Sequence, residues 1–333
     1  MRMTTSISGL AVAALMAANA YAADYKLKLG HAAIGEENPV HVALLFFAED
    51  VKKVSDGRIE VEIFGGGQMG NDRELVELTQ EGTLDLAVPT VSKLSSWDPA
   101  FAAPEIPYMF PNRDVALKVL SGEYGKFLEP KLNDLGLTTV GWFENGFRQM
   151  TNNVRPIVKP EDLSGIKLRT MEVEAHIEAF SHLGANPTPM AFSELYSALQ
   201  QEVVDGQENP LSNIVNNKMY EVQDYVSLTS HVYSAYIVLI NSAKYESLPA
   251  EMQDIVRSSL DKALKQELEI IDANEASSLK LIEEAGVKIN KLSDQEITAF
   301  RTALGDISAR FEELVGKQAY QAITEAVAKV QSN

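Results

Sequence analysis

A switch between two periodicities, made several times along the chain, is the strongest constraint on its fold. "YKLKLGHA", Tyr25 to Ala32, alternates apolar and polar residues as a half-buried strand does. Asn38 to Ser55 then takes helical spacing, with Val42, Leu45, Phe46, Ala48 and Val51 on the pattern and Asp56-Gly57 ending it. "RIEVEIF" alternates again, and "NDRELVELTQE" (Asn71–Glu81) returns to a helix with Asn71 or Asp72 as N-cap. "TLDLAV" is a third short strand. This order predicts α/β architecture with mainly parallel strands.

Pro104, Pro107 and Pro111 crowd "APEIPYMFPN" and predict an irregular loop. A second α/β run begins near "LTTVGWFENGFRQMTN" and continues through "GIKLRT", a helix at about 174–183, another at about 193–201, and "VVDGQENP". "SAYIVLIN" (234–241) is an apolar strand, and Pro249 opens a long amphipathic helix reaching about Glu284. The expectation is two α/β lobes followed by long helices.

The glycines of "FGGGQMGNDRE" satisfy G-x-G-x-x-G at Gly65, Gly67 and Gly70, with Asp85 twenty residues beyond the first. That is the outline of a dinucleotide-binding fingerprint. The strand in front of it argues otherwise. A central strand covered on both faces is apolar nearly throughout, whereas Arg58, Glu60 and Glu62 give "RIEVEIF" one wet face and place it near a sheet edge. A strand and a long helix also precede it, although the fingerprint normally opens its βαβ unit. The motif reads as a tight strand-to-helix turn that needs glycine's backbone freedom, and no cofactor is expected.

The 333 residues carry 29 Lys and Arg against 47 Asp and Glu, a net charge of −18. Such a surface disfavours nucleic acid and anionic lipid, so any anion site needs local cations. The first residues read as an export leader: Arg2, an apolar run over about 7–18, and Ala20 and Ala22 as the small residues of a cleavage site. Cleavage after Ala22 would start the mature chain at Ala23, make the net charge −19 with the loss of Arg2, and place the protein in the periplasm with no stable membrane insertion. The run is shorter than the ~20 apolar residues of a membrane span. With no cysteine, thiol catalysis, Cys-based metal sites and a lipidated N-terminal Cys are excluded.

Catalytic signatures are absent from the sequence. The five histidines show no HExxH spacing, His176-Ile177-Glu178 lacks the cysteines of a zinc deaminase, Ser92-Lys93 lacks S-x-x-K spacing, and no G-x-S-x-G or P-loop occurs. An arginine at the end of a rigid strand, by contrast, is suited to clasp a carboxylate with its planar fork. Arg169 ends "GIKLRT" and Arg148 is expected at the end of the preceding strand, where open α/β sheets bind ligands.

Long ordered stretches carry a resemblance. "FRQMTNNVRPIVKPEDLSGIKLRT" and "NPTPMAFSELYSALQQEVVDGQENPLSNI", together with "GHA" after the first strand, "GGQMGNDRELVELTQEGTLDLAV", "PEIPYMF" and "KYESLPAEMQDIV", resemble the DctP-type solute-binding proteins of TRAP transporters across essentially the whole mature chain. The resemblance implies a two-lobed, Venus-flytrap binding protein with discontinuous domains and a long helix spanning both. Lobe I would be 23–146 plus 235–274, lobe II 147–234 plus 275–333, with a hinge near 145–148 and 232–236. It implies a monomer that closes on a small organic-acid anion and passes it to the small and large membrane components of a sodium-driven permease. Arg169 would form the principal salt bridge to the ligand carboxylate, Arg148 would assist, Asn209 would add a hydrogen bond and Phe192 an aromatic wall. Asn71, Glu74 and His31 are expected near the cleft.

The remaining specificity positions leave alternatives. In sialic-acid-binding members the position of Thr90 is acidic, that of Lys93 is Arg and that of Glu172 is Asn, so this chain departs from them. Lys93 would suit the second carboxylate of a C4-dicarboxylate, or is a solvated loop lysine. Glu172 would accept hydrogen bonds from the hydroxyls of a uronate or other sugar acid, and would repel a dicarboxylate. An exported enzyme, such as a nicotinamide-dependent oxidoreductase, is the alternative from another class.

Overall fold

Ten strands form in the computed structural model, which describes residues 23–332. The expected leader, residues 1–22, lies outside these. The strands are β1 (Tyr25–Gly30), β2 (Ile59–Phe64), β3 (Leu86–Ala87), β4 (Leu137–Asn152), β5 (Lys167–Thr170), β6 (Asn186–Pro189), β7 (Gly206–Pro210), β8 (Tyr225–Leu228), β9 (Tyr233–Asn241) and β10 (Lys288–Lys291). They follow the order β2-β1-β3-β9-β4-β7-β5-β6, with β8 on β4 and β10 on β8. β2 is an edge strand, as its alternating charges require.

The pairing is more mixed than the sequence order predicts. β1 runs parallel to β2 and β3, β5 to β6 and β7, and β8 to β10, but β4 and β9 pair antiparallel with each other and with their other neighbours. The reason is connectivity. The chain leaves the first half of the sheet along β4 and returns along β9, so these crossing strands run in opposite directions. β4 is one strand of 16 residues: Leu137–Phe147 pair with β9, and Arg148–Asn152 pair with β7. A register shift between Glu144 and Gly146 bends it where the partners change, and Gly146 takes a φ of 112° that a side chain would strain.

The two-lobed α/β architecture is thus built on a strand shared by both halves. The Ala250–Glu284 helix spans them: Met252, Val256 and Leu260 pack in the core with Leu27, Leu29 and Phe47, while Ile282 joins the core of Leu195, Leu199 and Val226. Each such side chain contributes roughly 1.5–3 kcal/mol on burial. The Lys317–Ser332 helix reaches back to pack on the Arg113–Leu120 and Glu123–Asp134 helices. No helix among the described residues is long and apolar enough to cross a membrane.

The proline-rich loop holds one turn-like helix, Pro99–Glu105, capped by Asp98. The glycine motif is a turn. The amides of Gly66 and Gly67 donate to the carbonyls of Ala33 and His31 at 3.1 Å each, and Gly70 donates to Gly67 at 2.9 Å. These amides are engaged within the chain and cannot cradle a phosphate. The turn leads into the Asp72–Gln80 helix, where Asn71 and Glu74 form a reciprocal capping box.

Candidate anion-binding cleft

β5 lies between β6 and β7, so its backbone is fixed on both sides. Arg169, its third residue, is 1% exposed. The guanidinium donates through Nε (3.1 Å) and Nη2 (2.6 Å) to the carbonyl of Met190, and Nη1 is buried with no partner. Among the described residues no carboxylate lies within ion-pair distance of it. Burial brings its pKa down to about 10, Glu208 works against that and Arg148 adds to it, so Arg169 is still a cation at neutral pH.

Arg148 is not at a strand end, as the sequence suggests, but inside β4, because the strand runs on through the bend to Asn152. It faces Pro210 of β7 and is fully buried. Its Nε bonds Glu208 Oε2, and its Nη2 donates to Glu208 Oε1 (2.8 Å) and to the Glu208 carbonyl (2.5 Å). Nη1 is again buried without a partner. Burial tends to raise the Glu208 carboxyl, but the Arg148 charge and hydrogen bonds from His231 and Arg148 hold it well below the ordinary carboxylate range. His231 Nε2 lies 3.2 Å from Glu208 Oε2 and its Nδ1 lies 2.8 Å from Thr229 Oγ1.

The two free Nη1 groups belong to side chains lining one cavity of about 200 Å³. Buried donors without acceptors are costly unless a ligand supplies the acceptor. The arrangement presents two buried guanidinium donors to one cavity, one from an arginine paired with Glu208 and one from an arginine without a carboxylate partner among the described residues.

The profile of the family described as "Bacterial extracellular solute-binding protein, family 7" matches residues 29–314. The chain belongs to that family. A solute-binding protein from Verminephrobacter eiseniae is 36% identical over 86% of this chain and 84% of its own length. The sugar acid binding protein DctPAm from Advenella mimigardefordensis, solved in complex with galactonate, is 33% identical, covering 91% of this chain and 98% of that one at a TM-score of 0.87. A TRAP periplasmic solute binding protein from Sulfurospirillum deleyianum, solved with bound succinate, is 31% identical at 0.83, over 90% and 98%.

In this family 7 protein nine of the ten residues singled out in the sequence line the cavity: Asn71, Glu74, Thr90, Lys93, Arg148, Arg169, Glu172, Phe192 and Asn209. His31 does not. Its side chain is buried under the glycine turn with Nε2 2.9 Å from His41 Nδ1, and burial together with His41 lowers its pKa to about 3. Its neighbours Ala32, Ala33 and Ile34 line the cavity instead. Asn71 and Glu74 line the wall, yet Asn71 Oδ1 and a Glu74 oxygen serve the helix cap. Asn209 Nδ2 donates to Gln207 Oε1 at 2.6 Å, which leaves its second amide hydrogen. Lys93 Nζ is 2.9 Å from Glu172 Oε2, so these two residues face each other across the cleft.

Glu208, Asp72, Asn213 and Tyr236 escaped the sequence reading. One signal was available for Glu208: an acidic residue inside a strand that also holds buried neighbours needs a buried cation, and Arg148 is the matching one. Asp72, an N-cap candidate in the sequence, accepts from the Thr90 amide through Oδ2 at 3.1 Å and leaves Oδ1 buried and unpartnered.

Proposed function

We propose that this chain is the periplasmic receptor of a TRAP transporter for a small organic-acid anion, either a C4-dicarboxylate or a sugar acid, which it holds by a carboxylate and delivers to a sodium-driven membrane permease. One observation carries the reading: Arg169 is buried and charged, with a free Nη1 and no counter-ion among the described residues. A carboxylate entering the cleft completes it. Arg148 supplies the second free donor, Asn209 a neutral one, and Phe192 an apolar wall. Closure removes water, so several donors must offset desolvation of the bound anion.

The lobes divide as 23–146 with 235–274 and 147–234 with 275–333, the final helix of the second set reaching back onto the first. A hinge near 145–148 and 232–236 fits this division, since β4 bends between Glu144 and Gly146 and β9 begins at Tyr233. The leader directs export and is cleaved after about Ala22, and the mature receptor is monomeric. A thermal-shift screen with succinate, malate, glucuronate and galacturonate tests the function. At least one acid should raise the melting temperature and be recovered chemically unchanged by mass spectrometry. Conversion of the acid, or stabilisation by NAD alone, overturns the receptor in favour of an enzyme.

A further inference from the structure

The cleft neutralises most of its own charge, and what is left over discriminates between the two acid classes. Four cations line it. Arg73 is engaged with Glu77 at 2.9 Å, Arg148 with Glu208, and Lys93 with Glu172 at 2.9 Å. Of the four, only Arg169 has no carboxylate partner among the described residues. The Lys93 side chain is only 12% exposed, so its charge is committed to Glu172 in a poorly hydrated place. Asp72 adds an acceptor, its Oδ1 being buried in the cleft wall without a donor.

The site therefore has one uncompensated cation, one further free guanidinium donor and one buried acceptor without a donor. From this geometry, and resting on the receptor reading above, we infer that the ligand is a hydroxylated monocarboxylate, of aldonate or uronate type, rather than a C4-dicarboxylate. Its carboxylate meets the free Nη1 donors of Arg169 and Arg148, and one of its hydroxyls donates to Asp72 Oδ1. A second carboxylate would find Arg148 and Lys93 already paired and only the exposed Arg73 to turn to, in a cavity already walled by Asp72, Glu74 and Glu172. Burying like charges together costs several kcal/mol. Glu172 is then a specificity residue, because it keeps Lys93 from serving a second carboxylate.

Isothermal titration of the mature chain with two panels tests this. One panel holds gluconate, galactonate, glucuronate and galacturonate; the other holds succinate, malate and fumarate. At least one hydroxylated monocarboxylate should bind at least tenfold more tightly than any dicarboxylate. A dicarboxylate binding as tightly or more tightly overturns the inference and leaves the receptor reading standing. Binding of neither panel removes the receptor reading, and this inference with it. Glu172 is largely exposed, so Glu172→Gln should fold; it frees Lys93, and succinate should gain about tenfold, as for a new charge-assisted contact. Unchanged or weaker succinate binding shows that Lys93 is not held in reserve by Glu172 and overturns that part. Asp72→Asn should weaken the preferred acid by about tenfold, through loss of a charge-assisted hydrogen bond. Unchanged affinity overturns the role of Asp72 as the hydroxyl acceptor.

Discussion

Arg148 and Arg169 stand on neighbouring parts of one sheet and are equally buried, but the fold gives a counter-ion to only one of them. Arg148 is gripped by Glu208 through side chain and backbone, and His231 shares the Oε2 oxygen that Arg148 Nε bonds. Arg169 is held in place by a neutral carbonyl and keeps its charge. Folding alone compensates the desolvation of the first arginine. For the second, compensation is deferred until an anion arrives. The difference separates a residue that builds the site from the residue that the ligand completes.

Two substitutions can break that distinction. Arg148→Ala strands Glu208 as a buried, uncompensated charge, and should lower the unfolding free energy of the ligand-free protein by about 3–5 kcal/mol in denaturant titration. Arg169→Ala should leave ligand-free stability unchanged or slightly higher, because it removes a buried charge that has no counter-ion among the described residues. Its effect appears in calorimetry as a loss of about 2–5 kcal/mol of binding to the ligand found by the acid screen. If the two variants show the same profile, the arginines do not differ as the geometry says.

The Arg148 side of the cleft also carries a buried carboxyl, Glu105, set beside a buried histidine, His176. Glu105 Oε1 accepts from Ser234 Oγ at 2.5 Å, and its Oε2 lies 3.3 Å from His176 Nε2. Burial pushes Glu105 up to about 7, against the Arg148 charge and the Ser234 hydrogen bond, and burial pulls His176 down to about 3. The unfolded chain releases the Glu105 proton near its ordinary value, so the stability from Glu105 is full below that value and is lost as pH rises to about 7. His176 acts the other way: its contribution is full above its ordinary value and falls at lower pH. Glu105→Gln should therefore gain on the parent between pH 5 and 8, on the order of 2 kcal/mol. A constant difference across that range would show that Glu105 does not titrate in this window.

The sequence exposed the framework because its signals are local. Alternation marked β1 and β2, Pro249 marked the start of the 250–284 helix, and Asn71 announced its cap. Arg169 and Asn209 were legible because ordered motifs surround them. Glu208, in the same "DGQENP", was passed over because its partner lies 60 residues away and only β4–β7 pairing joins them. The Lys93–Glu172 pair, 79 residues apart, was hidden for the same reason: each residue has a plausible solvated role when read alone. His31 misled because a residue next to a strand end can point to either side of the chain, and the glycine turn covers the side it takes.

Phe192 offers the smallest effect and separates charge from shape. It opens the Phe192–Gln200 helix, lines the cleft, and is only partly buried beside Leu195 and Leu199. Phe192→Ala leaves no polar group stranded and opens no sealed cavity, so ligand-free stability should stay nearly constant. What is lost is apolar contact with the bound acid. At ~25 cal/mol per Å², a few tens of Å² of contact amount to about 1 kcal/mol, a roughly fivefold weaker complex by calorimetry. This loss should be the same for acids of equal size whatever their number of carboxylates, since an aromatic wall does not count charges. If Phe192→Ala weakens binding as much as Arg169→Ala, the cleft holds its ligand by shape, and the free charge of Arg169 is not the anchor.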